Sequence, residues 1–213
     1  MLDQHPKSVL LEERWNTYSH ALGIVLSWIG FALFLQEDLG RKPFLFWSIV
    51  VYSISLVLLF TASTLYHAAQ NPKLKRKFRV LDHISIYYLI AGTYTPVCLL
   101  FLAESKGWLL FYLVWGIALV GTVLKLFFTG KFEVFSLILY GVMGWLIVLD
   151  FSSLIEKIST DSLFWLGLGG AFYTIGILFY AIRKIPFNHL IWHLFVLGGA
   201  ISHWIFIKKE VLG

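Results

Sequence analysis

Seven long apolar runs decide what this chain can fold into; they cover about residues 18–36, 44–67, 83–102, 108–127, 134–150, 163–182 and 189–207. A run of ~20 residues carries a helix across the ~30 Å hydrocarbon core of a bilayer. No water reaches backbone N–H and C=O groups there, so only helices and closed barrels can span it. These runs are too long for tilted barrel strands. The expected fold is therefore all-α, a seven-transmembrane helix bundle making a single polytopic membrane domain over residues 1–213. Only 14% of the residues are charged, against about 25% in soluble domains, which excludes the soluble enzyme classes. Trp47, Trp108, Trp145, Trp165 and Trp204 fall near the expected span ends, as interfacial anchors do. Pro96 lies inside the third run and should kink it. The single cysteine, Cys98, excludes an intramolecular disulfide. The first 17 residues lack a short apolar core with a cleavage site, so the first span is expected to direct insertion itself.

Lys and Arg set the expected orientation. With the N-terminus in the cytoplasm, the segments on that side hold 11 of the 17 basic residues, Lys7, Lys75, Arg79, Lys125 and Arg183 among them. The positive-inside tendency then places the C-terminus outside. The cluster "KLKRKFR" (73–79) reads as a cytoplasmic loop facing anionic headgroups. It is not expected to contact nucleic acid, because the aromatics that would accompany such contacts sit inside the apolar runs.

The unusual polar residues gather on the expected cytoplasmic side. Ser63 and His67 close the second span in "STLYH", and Asp82 and His83 open the third in "LDHIS". His189 and His193 open the seventh in "NHLIWH", while Glu13, Asn16 and His20 lead into the first in "ERWNTYSH". Spacings of three and four put each set on one helical face. Taken singly, each has a structural reading. Asp82 reads as an N-cap and Asn188 as a cap of the last span, Ser63 as bonded to its own helix, and His83 as interfacial. A lone membrane histidine reads as an interhelical partner.

Taken together, His67, His189 and His193 supply three imidazoles, two of them one turn apart. That spacing allows both rings to reach one ion. Three histidines with an open fourth position form the donor set of a catalytic Zn²⁺, whereas structural zinc fills all four positions with protein ligands. Asp82 and Ser63 would then orient a water or a ligand, with Glu13, Asn16 and His20 as supporting or substrate-contacting groups.

The blocks "ERWNTYSHALG", "STLYHA", "LDHISIYYLIAGTYTP" and "HLIWHLFVLGGAISHW" resemble the signatures of the progestin and adiponectin receptor family, in its bacterial hemolysin III branch. The resemblance runs from about Glu13 to Trp204. It implies seven helices with a cytoplasmic N-terminus, His67, His189 and His193 as zinc ligands, and Asp82 and Ser63 as a water-positioning pair. It also implies a place in a bacterial inner or plasma membrane. The wider superfamily includes alkaline ceramidases, which cleave lipid amides. His203 matches a recurring histidine, but it lies ten residues past His193, ~15 Å along a helix, too far to share the ion. The short segments before and after the spans argue against hormone recognition. The expected function is intramembrane hydrolysis of a lipid amide or ester, with membrane lipid as substrate. The alternatives are a hemolysin-like membrane-perturbing or pore-forming protein, and a non-catalytic sensor of membrane lipid state. Oligomeric state is not specified by these features.

Overall fold

The computed structural model describes residues 7–182 and 184–211. Arg183 and the side chain of Lys7, both counted in the charge asymmetry, lie outside the described residues. Among the described residues, seven helical segments are long and apolar enough to cross a membrane. They are α1 (Lys7–Phe34), α2 (Leu45–Ala68), α3 (Pro72–Pro96) with a π turn (Val97–Phe101), and α4 (Gly107–Phe128). The fifth is broken into α5 (Glu133–Trp145), a 3₁₀ turn (Leu146–Asp150) and α6 (Phe151–Ile155); α7 (Thr160–Ala181) and α8 (Asn188–Val211) complete the bundle. Large apolar side chains point outward around its whole girth, as with Trp47 at 66% and Phe127 at 75% exposure. Such a surface suits lipid and not water.

The bundle is built on the α2–α3 pair, with α1 laid on α2, α4 on α3, and α8 between α1 and α7. At Gly92 the α2 and α3 backbones come so close that a Cβ would collide with Ser55. Small residues permit this approach between membrane helices.

The N-terminal part of α3 departs from the expected map. "KLKRKFR" is not a loop but the opening turns of the helix. Asn71 accepts bonds from Lys73 N at 2.9 Å and Leu74 N at 3.3 Å, and Pro72 occupies the first turn. Lys, Leu and Arg are good helix formers, so a capped start carries the helix beyond the apolar run. The basic side chains also have protein partners. Lys75 bonds Glu13, while Arg79 and Lys125 both bond Glu133, at 3.3 and 3.1 Å. Lys125 is 1% exposed, so its ammonium is held by that carboxylate inside the bundle.

Two helices are interrupted for identifiable reasons. Pro96 has no N–H to continue the α3 ladder, and the chain widens into the π turn, closed by Leu102 N to Val97 O at 3.2 Å. In α5, the Tyr94 hydroxyl donates to Gly144 O at 2.9 Å and accepts from Ile147 N at 2.8 Å. A side chain inserted in the ladder in this way bends a helix. Buried Asp150 then fixes the turn, accepting from Ser105 Oγ at 2.6 Å, Lys106 N at 2.8 Å and Ser153 Oγ at 2.7 Å.

Phe44, Phe132 and Phe187 all have φ between 55° and 63° and immediately precede α2, α5 and α8. This left-handed conformation costs a bulky residue about 1–3 kcal/mol. It turns each carbonyl into the first helical turn, as in Ile191 N to Phe187 O at 3.0 Å. At α8 that turn sets where the two histidines of "NHLIWH" begin.

Asp150→Ala leaves three donors without their acceptor. It should destabilise the protein by about 1–3 kcal/mol, visible as a lower Tm of the detergent-solubilised protein. An unchanged Tm would show that the broken fifth span does not depend on this carboxylate.

Candidate metal centre

The polar end of the bundle is where α1 begins, α2 ends and α8 begins. His67 from α2 and His189 and His193 from α8 meet there, with donor nitrogens all within 4.8 Å of one another, a group that could hold a metal ion. His67 and His193 are buried and His189 is half-buried. The ring centroids lie 4.9 Å (His67–His189), 4.9 Å (His67–His193) and 4.7 Å (His189–His193) apart.

The hydrogen bonds decide which nitrogens face inward. His67 Nδ1 lies 3.0 Å from Glu13 Oε2. A carboxylate only accepts, so Nδ1 carries the proton and Nε2 keeps its lone pair. The same reasoning applies to His193, whose Nδ1 faces the Asn16 carbonyl at 3.3 Å and Ser19 Oγ at 3.4 Å. His189 Nε2 stands 3.2 Å from His67 Nε2. Two nitrogens bound tetrahedrally at 2.0–2.1 Å are ~3.3 Å apart, so this pair already has the separation that a shared ion requires. A carboxylate on the far nitrogen of a ligating histidine fixes its tautomer and raises its basicity. Glu13 is placed to do that for His67, and it also accepts from Lys75 Nζ at 2.9 Å.

Beside the histidines lies a cavity of about 20 Å³, lined by Ser63, Asp82, His83, His20 and Tyr180 among others. That is room for about one water. Asp82 is 8% exposed, and Ser63 Oγ points towards it without closing a hydrogen bond. The cap reading of Asp82 is incorrect, because α3 starts ten residues earlier at its own cap, Asn71. His83 is not interfacial either. It is 6% exposed and lines the cavity, while its carbonyl accepts from Tyr140 at 2.9 Å.

His20 stacks on His193 at 3.6 Å with an interplanar angle of 10°. Neither of its ring nitrogens has a hydrogen-bond partner among the described residues. Asn16 is buried, with its backbone on His193 and its side-chain oxygen without a partner among the described residues. Asn188 does not cap α8 with its side chain. Its amide donates to Phe179 O at 3.1 Å and so ties α8 to the end of α7. His203 is remote from this group, against Leu166 O at 3.2 Å.

A model of the haemolysin-III-related family matches residues 9–204. The chain belongs to this family. It is 39% identical to Hemolysin-3 of Bacillus cereus over 202 residues, covering 94% of this chain and 92% of that one. It is 40% identical to the Hemolysin-3 homolog of Bacillus subtilis over 196 residues, covering 90% of each. The human monocyte to macrophage differentiation factor is 32% identical over 215 residues, covering 95% of this chain and 86% of that protein. This family member is a multi-pass membrane protein.

Sequence reasoning missed three contributors. Lys75 was assigned to headgroups and instead holds Glu13. Glu12 accepts from the His189 backbone N–H at 3.3 Å, and Ser19 meets His193. Glu12, Asn16 and Ser19 are spaced four and three apart, so the helical period that singled out Glu13, Asn16 and His20 could also have found them. Glu13→Ala should weaken metal binding about 10–100-fold, measured by competition with a chromophoric chelator. Affinity equal to wild type would show that Glu13 does not support His67.

Proposed function

We propose that this protein is a zinc-dependent hydrolase that cleaves an amide or ester bond of a membrane lipid at the cytoplasmic end of the bundle. The observation that carries this reading is the pairing of three imidazole donors with a one-water cavity holding Asp82 and Ser63. Imidazole donors suit Zn²⁺ among several transition metals, and the His67–His189 separation fits its tetrahedral geometry. His67, His189 and His193 would hold the ion. When bound there it would lower the pKa of water and polarise a carbonyl.

The protein's own groups have the following roles. Asp82 takes a proton from the attacking water as its oxygen bonds to the substrate carbonyl carbon. It returns that proton to the departing nitrogen or oxygen as the C–N or C–O bond breaks. Ser63 orients the water from the opposite helix. His20, whose two nitrogens have no partner among the described residues, donates to the carbonyl oxygen. Glu13 and the Asn16 carbonyl keep the Nε2 lone pairs of His67 and His193 directed inward. Leu59, Trp192 and Val196 form the apolar wall that keeps bulk water out.

Asp82→Asn should retain zinc and lose about 10²–10⁴-fold in turnover, whereas His67→Ala should lose both. Elemental analysis alongside hydrolysis of a panel of amide and ester lipids in nanodiscs separates the two effects. The reading fails if zinc-loaded wild-type protein cleaves none of the panel, or if Asp82→Asn cleaves as fast as wild type.

A further inference from the structure

The opening turns of α3, at the histidine end of the bundle, divide their basic residues between two faces. On a helix, residues 75, 79 and 82 share one side and residues 73, 77 and 81 the opposite one. The structure follows this division. Lys75 and Arg79 turn inward to Glu13 and Glu133, whereas Lys73, Arg76 and Lys77 are exposed. Lys131, in the turn between α4 and α5, is exposed at the same end. That turn is held against α3, because Arg79 bonds Glu133 and a Cβ on Gly130 would lie 3.8 Å from Arg79 Nη1.

The carboxylates at this end are already engaged inside the protein. Among the described residues they are Glu12, Glu13, Asp82 and Glu133. Glu12 accepts from His189 N, and Glu13 is shared by His67 and Lys75. Asp82 lines the one-water cavity, and Glu133 accepts from Arg79, Lys125 and Gly130 N. Lys73, Arg76, Lys77 and Lys131 have no ion-pair partner among the described residues.

The neighbours of these cations show the depth at which they stand. Leu81, one turn below Lys77 on the same line, is 48% exposed, and Leu74, next to Lys73, is 47% exposed. Phe128 and Phe132, on either side of Lys131, are exposed too, with their rings edge to face at 5.8 Å. Apolar surface of this kind suits lipid, so the start of α3 and the α4–α5 turn lie at the membrane surface. Each ammonium there reaches towards the headgroups from an apolar base. Lys73 and Lys77 are one turn apart, with Cβ atoms ~6 Å from each other, which lets both reach a single phosphate.

We infer that this face binds the phosphodiester of an anionic glycerophospholipid from the surrounding leaflet. Lys73 and Lys77 hold the phosphate, Arg76 and Lys131 flank it, and the acyl chains run down past Leu81. A choline headgroup carries its own cation and gains less from four unpaired positive charges. A water-soluble polyanion would leave Leu74, Leu81 and Phe132 uncovered, whereas a lipid covers them. The inference does not depend on the hydrolase reading, since the face needs neither an ion at the histidines nor turnover.

The test uses the full chain in nanodiscs of phosphatidylglycerol and phosphatidylcholine in equal amounts. Native mass spectrometry of the released protein reads the ratio of the two lipids it retains. Wild-type protein should retain an excess of phosphatidylglycerol. Lys73→Gln and Lys77→Gln should each lower that ratio about fivefold, while Lys73→Arg with Lys77→Arg should preserve it. Lys157→Gln removes the same charge at the opposite end of the bundle and should leave the ratio as it is. A wild-type ratio near one overturns the inference. So does a ratio unchanged when both lysines become glutamine, or one that Lys157→Gln lowers equally. The Tm in lipid-free detergent separates binding from folding. The double glutamine variant should match wild type there, and a lower Tm with an unchanged lipid ratio assigns these lysines to the fold and overturns the inference.

Discussion

Hydrocarbon offers no hydrogen-bond partner, and this constraint governs how the helices of this protein meet. A polar side chain in the spans is costly unless it finds a partner within the protein, and those that join the helices do so. At the histidine end the result is a chain of contacts from α3 to α1 to α2, Lys75 to Glu13 to His67. A second chain runs from α1 to α8, through Glu12 to the His189 backbone and through Asn16 and Ser19 to His193. These bonds select which four helices surround the three imidazoles. At the opposite end, Lys208 pairs with Glu37, Lys209 meets Asp161 at 2.6 Å and Glu210 accepts from Ser159 at 2.8 Å. Both ends of α8 are thereby tied, and the metal donors near its start are held in register with α1 and α2.

Much of this architecture is legible in the sequence because its signals are local and one-dimensional. The apolar runs mark the membrane-crossing helices, and spacings of three and four on α1, α2 and α8 mark the inward faces that hold Asn16, His20, His67 and His193. Other features depend on partners distant in sequence. The break in α5 comes from Tyr94, some fifty residues earlier in the chain. Lys75 reads as a headgroup contact until Glu13 is seen beside it, and nothing local in the sequence shows that Lys125 is buried against Glu133. The start of α3 was legible in principle, since Asn-Pro is a recognisable helix start. A hydropathy boundary at residue 83 concealed it, because a helix can leave the hydrocarbon before it ends. The left-handed Phe44, Phe132 and Phe187 carry no local signal, since nothing in a phenylalanine favours positive φ.

The division of the interior into a polar and an apolar space follows from the same constraint. Small residues on α1 allow Phe60 and Trp204 to pack against its backbone, and the stretch between them stays open on the lipid side. In a membrane such a space is filled by hydrocarbon, since water there would lack partners. Elsewhere in the bundle, Ser63 Oγ and both ring nitrogens of His20 have no hydrogen-bond partner among the described residues, and Asp82 lines the same small cavity.

Whether an ion at the three histidines serves chemistry or only cohesion can be argued from what already joins the helices. A structural ion is needed where the elements it links have few other bonds. Here α1, α2 and α8 are linked without it, by Glu13 to His67, by Glu12 and Asn16 to α8, and by the His20–His193 stack. Asn188 separately ties α8 to α7. These helices are thus joined by contacts that do not require an ion. A purely structural centre would also gain nothing from a buried hydroxyl left without a partner beside a carboxylate and a one-water space, because such a group is costly to desolvate. Ser63, next to Asp82, has that arrangement among the described residues. Under the proposed hydrolase reading, a reacting water and a substrate carbonyl would complete the site and account for that burial, which is the argument for proposing turnover over a static or sensory role.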